Sequence, residues 1–580
     1  MNSRLFAAAV AAAGLATGGA HAQSATDRPA DKMAGMQMSA PMSMGIPLSP
    51  MPSVYAGQAD KKGAPVFKGL GSHHMAISTK TPRSQMFFDQ GVNLLFGFNH
   101  AEAIRSFREA ARLDPDCAMC WWGVAVALGP NINLPMPPDA VAPAWQALQQ
   151  ATRLEVKATP RERAWIDALA IRYSKDAKAD RHALDEAYAQ AMGKLWRDNP
   201  SDLDAGTFYA EAMMDTQPWD YWQADGAKPK GHGGEIVSTL ESVIRQGPEH
   251  PGALHLYIHA VEASTTPERA EHAADVLLKL MPEAGHIVHM PSHIYYRVGR
   301  YADAARVNED AAKVDEAYIA ACRAQGYYPA GYYGHNIHFL WTSSEMQGRY
   351  GAAIDAARRL VKAVDAVNLA KQMPQGELYA FTPLTTDLRF GKWPAVLAEP
   401  LPGKALLLDR AIAYYARGFA FANTGQLEKA RTDRKNLAAL SKASFKKYDA
   451  AGLPAKPMVE LALALLDAEI ARTSGDLPGA VAKFQAAEKL ETALPYTEPP
   501  YWHQPTAHLL GAALLDAKRP AEAEAVYRES LKTYRDDGWA LNGLVLALQA
   551  QGKTAEAERA RKAFADAWSR ADTKLATSRL

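Results

Sequence analysis

Histidine is unevenly placed along this chain. Nine of its 17 histidines fall between His250 and His338. Neutral imidazole ligates zinc, copper and iron, and it is the side chain that titrates nearest neutral pH. Register adds to number. Counted back from a recurring helix-ending turn, His255, His289, His338 and His508 sit ten residues before it, His259 and His293 six, and His286 and His335 thirteen. On a helix these offsets fall within about 60° of arc, so all eight project from one face.

His255 and His259 are four residues apart, about 6 Å along a helix axis, and Glu262 follows on the same face. A His–His–carboxylate set with open positions suits a catalytic or transport metal. The candidate metal ligands are His255, His259, Glu262, His286, His289, His293, His335 and His338. Copper, zinc and iron are the candidate ions. Neutral ligands are required, so occupancy is expected to fall as pH drops through about 6.5. Two other readings stand beside this one: direct ligand binding without metal, and a row of interior histidines copied by duplication. The zinc-protease pattern His-Glu-x-x-His is absent. Pro291, between His289 and His293, is expected to start or kink a helix.

Aromatic residues crowd the same region. Tyr327, Tyr328, Tyr332 and Tyr333 precede His335 and are candidate ligand-binding residues on a lid; the alternative is a hydrophobic plug between repeats. Trp219, Tyr221 and Trp222 form a second such cluster before Gly231-His232-Gly233-Gly234. That run lacks the Lys-Ser/Thr of a phosphate loop.

Cys117 and Cys120 open a helix after Asp114-Pro115. Their expected state is a local disulfide, ahead of a soft-metal site with Met119 or free thiols. Trp121 stands where covalent haem attachment requires His. Cys322 is left over as a small buried apolar residue. No Gly-x-Ser-x-Gly elbow or dinucleotide fingerprint occurs.

The elements that must position these residues are helices. From about residue 71 the chain shows Ala-rich amphipathic stretches. A turn of the form Gly-x-(aromatic or Leu)-x-x-Ala recurs at Gly299, Gly348, Gly391, Gly425 and Gly475, then at Lys518 and Gly552. Glycine ends one helix, and the small residue lets the next pack close. The intervals are 49, 43, 34, 50, 43 and 34 residues, so 299–425 and 425–552 read as a duplicated three-unit block. Further units are visible at Thr265 with Ala270 and at Phe98-Asn99-His100 with Ala103.

The segment from Phe88 to Pro115, ending FNHAEAIRSFREAARLDPD, and the pair YWHQPTAHLLGAALLDAKRPAEAEAVYRES and WALNGLVLALQAQGKTAEAERARKAF resemble the tetratricopeptide repeat family. The likeness covers most of 84–570 and fits 136–234 poorly. It implies an all-α solenoid, a right-handed superhelix of helix pairs with irregular insertions, whose first helices line a concave groove that binds peptides or other ligands. The histidine face is then the groove face, with His255, His259, His289, His293 and His338 converging there and His286, His335 and Glu262 at its edge. The segments HLYIHAVEAS and HMPSHIYYRVGRY also look like an exported bacterial subgroup of these proteins. A repeat fold implies a binding surface and no particular reaction.

The 580 residues carry 64 Lys+Arg against 63 Asp+Glu, which argues against a general nucleic-acid binder. With 48% hydrophobic and 22% charged residues the chain can bury a large core. Met1–Ala22 reads as a secretory signal peptide ending Ala20-His21-Ala22, so a periplasmic or secreted protein is expected. No later segment is apolar enough to span a membrane. Residues 23–70 read as a disordered leader in which Met33, Met36, Met38, Met42, Met44 and Met51 offer soft ligands suited to Cu(I). The body divides into an N-terminal unit (71–135), an irregular helical segment (136–234), histidine-rich central repeats (235–400) and C-terminal repeats (401–580). The expected function is an exported repeat protein whose histidine- and aromatic-lined groove binds a peptide, protein or small molecule with a transition metal. The alternatives are a metal-dependent enzyme using the same cluster and a periplasmic copper-handling protein.

Overall fold

A computed structural model describes residues 53–55, 57–324 and 328–580. Met1–Ala22, read above as a signal peptide, the methionine-rich stretch through Met51, and Tyr327 lie outside the described residues. The described chain is an all-α solenoid of helix pairs; no strand occurs among these residues, only two isolated bridges. No described helix is long and apolar enough to cross a membrane.

The turns explain the pairing. Gly299, Gly348, Gly391, Gly425, Gly475 and Gly552 all adopt positive φ, between 63° and 87°. That left-handed conformation closes a helix and costs glycine least. Lys518 holds the same place at φ 58° and Phe98 at φ 54°. The small residue five positions on is buried each time: Ala103, Ala304, Ala353, Val396, Ala430, Ala480 and Ala523 fully, and Ala557 to within 2%. Gly475 thus joins Ala455–Thr473 to Leu477–Thr492, and Gly552 joins Gly538–Ala550 to Thr554–Ala567.

Four histidine-bearing helices matter most: Pro251–Val261, Gly285–His289, Pro291–Arg297 and Gly334–Met346. Pro291 starts the third of them, where its missing N–H costs nothing. Pro82–Phe96 packs across Pro251–Val261 because Gly252 admits the Phe96 ring; a Cβ there would stand 2.6 Å from it.

The solenoid curls until its C-terminal half meets its middle. The Trp539 indole donates to the Glu345 carbonyl at 3.0 Å and joins Ile337 and Trp341 in one apolar cluster. Arg535 pairs with Glu268 at 2.9 Å. Glu498, on the 493–505 connection, reaches His293 at 3.0 Å.

Candidate metal centre

The histidines are not on an open groove. His255, His259, His286, His289 and His293 are each no more than 3% exposed, and only His335 is half-buried. The expectation of an exposed concave face is corrected here. Phe98 stacks over His259 and His286, Trp219 stands edge-on to His259, and Tyr332 meets His286. Phe339 packs against His289, His293 and His335. Glu498 reaches in from the far half of the chain.

Two triads emerge. In the first, the ligand atoms of His255, His259 and His286 lie within 4.8 Å of one another; in the second, those of His289, His293 and His335 do the same. His259, Glu262 and His293 form a third such group between them. Seven of the eight residues expected as ligands therefore come together. His338 does not: its ring lies flat on Trp341, at 5.1 Å and 1°, and meets Tyr379. The thirteen–ten–six register holds for direction, but His338 sits three residues after His335 and turns to a different neighbour. His508 pairs with Asp537 and joins neither triad.

Outer partners fix the ring orientations. His255 Nδ1 lies 2.6 Å from the Phe96 carbonyl, so Nδ1 carries the hydrogen and Nε2 a lone pair. Asn308 donates its amide to the Ala304 carbonyl at 2.8 Å, which leaves its Oδ1 to accept from His289 Nδ1 at 2.6 Å. His293 Nδ1 faces Glu498 Oε2 at 3.0 Å and Glu262 Oε2 at 2.9 Å. Both second-triad rings thus present Nε2 inward, and these atoms stand 3.0 Å apart. Two lone pairs at that distance repel unless a cation, a proton or a metal ion, lies between them. Ligands about 2.1 Å from one ion at angles between 90° and 109° are themselves about 3.0–3.4 Å apart. In the first triad His255 Nε2 and His286 Nε2 are 3.2 Å apart.

Orphaned atoms point the same way. Neither ring nitrogen of His259 has a hydrogen-bond partner among the described residues, nor does Nδ1 of His286. Buried polar atoms are rarely left so. Burial pushes His255, His259, His286, His289 and His335 well below the usual histidine range, and their neighbours' positive charge adds to this. They therefore stay neutral, in the ligating form, at pH values where free histidine is charged. His293 differs: burial opposes its charge, but Glu262 and Glu498 outweigh that and raise it to about 10. For that ring a proton competes with a metal.

The tyrosines divide. Tyr332 reaches the histidines, while Tyr328 bonds Asp315 at 2.9 Å and Tyr333 turns away to Glu316 at 2.7 Å. The expected lid is a packed plug among the described residues, because each hydroxyl is held by a neighbouring helix or side chain. A cavity of about 30 Å³ lies beside it, lined by Phe98, His100, Tyr328 and Tyr332. Cys117 and Cys120 are joined by a disulfide, and Cys322 is buried and free.

Sequence reasoning missed Glu498, Asn308 and Phe98. Glu498 lies 205 residues from His293, and nothing local marks it. Phe98 carried a signal: it occupies the glycine position of the turn, so a bulky residue there takes positive φ at a cost tolerated mainly where the site needs it.

A further group, His73, Asp204 and His250, lies at an open cleft of about 570 Å³. Its rings are committed otherwise. His250 Nδ1 accepts the Ala253 N–H at 3.2 Å, so its Nε2 carries hydrogen and faces Asp204 at 3.2 Å. Burial alone would raise Asp204, but hydrogen bonds from His250 and His73 hold it well below the carboxylate range.

No family model and no curated protein matches this chain. Among solved structures it is similar to the human IFIT1 dimer with m7Gppp-AAAA, at 12% identity and TM-score 0.30, covering 84% of this chain and 90% of that one. Yeast Tom70 matches at 11% identity and TM-score 0.27, covering 82% and 90%. The Cut9–Hcn1 hetero-tetramer of APC/C matches at 13% and 0.28, covering 84% and 76%.

Proposed function

We propose that this chain is an exported tetratricopeptide-like binding protein that holds a transition metal in its buried histidine core. The observation that carries the reading is the facing Nε2 pair of His289 and His293, each fixed by an acceptor on its far nitrogen, with His335 beside them. An all-imidazole ligand set favours zinc or copper, with iron third. The aromatic cover makes the site suited to a small ligand on the metal rather than to a peptide. Export rests on the signal pattern of Met1–Ala22.

Elemental analysis of mature protein from the exported fraction, purified without chelator, tests this. At least one equivalent of copper, zinc or iron per chain is expected. Less than a tenth of an equivalent, persisting after incubation with each ion and desalting, would overturn it.

One observation favours a metal-dependent enzyme as a second reading. Three protein ligands leave a coordination position open, as catalytic zinc sites do. Exogenous azide would occupy that position and shift the absorption of a copper- or cobalt-loaded form; an unchanged spectrum would remove the enzymatic reading and leave the binding one.

A further inference from the structure

We infer that the histidine core is a dinuclear centre, in which His255, His259 and His286 hold one ion and His289, His293 and His335 hold a second beside it. This rests on the metal-binding reading above and specifies its stoichiometry.

Each triad is complete on its own terms. In the second, His289 and His293 point Nε2 inward with Nδ1 engaged outside, and His335 packs against both rings at 4.8 and 5.6 Å. In the first, the Phe96 carbonyl does for His255 what Asn308 does for His289. His259 and His286 complete that triad with buried nitrogens that lack partners. Outer-sphere acceptors of this kind are how proteins set the tautomer of a metal-binding imidazole.

The triads abut without merging. His259 and His293 rings are 5.4 Å apart, and His286 and His289 rings 5.7 Å. Glu262 lies between them, 3.6 Å from His259 Nδ1 and 2.9 Å from His293 Nδ1. Glu262 therefore sits against the His293 nitrogen that leaves Nε2 for the ion, while it lies beyond hydrogen-bond reach of His259 Nδ1. A single ion cannot use both sets: His293 already spends its inward nitrogen beside His289, and His255 spends its own beside His286. Glu262 and Glu498 also supply the negative charge that a buried cation pair requires.

Zinc is the probe, because it takes imidazole readily while the thioether-rich leader does not favour it. Full-length mature protein is stripped with chelator, reconstituted with zinc chloride, desalted and analysed for zinc per chain. Two equivalents are expected. His255→Gln with His286→Gln, and separately His289→Gln with His335→Gln, should each retain one, with helical circular dichroism unchanged. If a double variant fails to fold, His335→Gln alone should keep one tight ion and bind the other at least tenfold more weakly. His73→Ala should retain two, which separates this centre from the cleft group. Zero equivalents in the parent would overturn the metal reading itself. One equivalent would overturn only the dinuclear inference. So would two falling to one in the His73 variant, or a folded triad variant that loses both ions.

Discussion

His289 and His293 turn their Nε2 atoms toward each other at 3.0 Å, while Asn308 at 2.6 Å and Glu498 at 3.0 Å occupy their Nδ1 sides. Asn308 therefore positions a ligand without touching the ion. Asn308→Leu should lower zinc affinity about 10- to 100-fold, the usual effect of removing such a support, with helicity retained. Competition against a chromophoric chelator measures it. Unchanged affinity would mean that the His289 tautomer does not depend on Asn308.

Phe98 and Lys518 fill the same turn position with opposite surroundings. Lys518 is exposed, so Lys518→Gly removes only the positive-φ strain. Stability should rise by about 1 kcal/mol. Phe98→Gly relieves the same strain but removes a buried ring that covers three histidines. Loss of such a ring costs about 3–5 kcal/mol, so net destabilisation by about 2–4 kcal/mol is expected. Urea unfolding of the two variants should move in opposite directions. Movement in the same direction would refute the shared-turn argument.

The C-terminal tail is clamped by an ion pair that acid should release. Arg579 reaches Glu469 with two bonds of 2.7 Å, and Arg472 adds two more at 2.8 and 3.1 Å. Burial opposes the Glu469 charge, but these arginines outweigh it and hold the carboxyl down at about 2, against an ordinary 4.5. A folded-state pKa below the unfolded one means that the stabilisation is complete above about pH 4.5 and drains away as pH falls toward 2. Its ceiling is about 3 kcal/mol, from about 1.4 kcal/mol per pKa unit. Unfolding of the parent and Arg579→Gln at pH 6.5 and 3.5 should show a steeper acid loss in the parent. Equal losses would place the acid-sensitive group elsewhere.

The Cys117–Cys120 bridge closes a very short loop at a helix start, where Cys117 Sγ also accepts the Cys120 N–H at 3.0 Å. Loop-closure entropy for so short a span is worth about 2 kcal/mol at most. Reduction should lower stability by no more than that and leave zinc stoichiometry unchanged, since neither cysteine belongs to a triad. Alkylation and mass spectrometry of unreduced protein should find both thiols blocked. Free alkylation of both would refute the bridge.

The sequence by itself determined the helices, their pairing and the direction of the histidines. Those features are local: a glycine or its stand-in at positive φ, a small residue five positions on, and a 3.6-residue period leave little choice. Gly299 and Gly348 with Ala304 and Ala353 could be read without any contact between units. Register placed the histidines on one face, with His286, His335 and Glu262 expected at its edge; the tertiary structure instead divides them into two triads that include His286 and His335. The tertiary structure alone decided that these rings are buried, that His338 turns aside to Trp341, and that Glu498 and Asn308 complete the shell. The physical reason is closure. Register fixes which way a side chain leaves its own helix, whereas what it meets depends on how far the solenoid curls. That curl is set by summed packing, such as Trp539 against Ile337 and Trp341, between segments about 200 residues apart, and no local pattern encodes it.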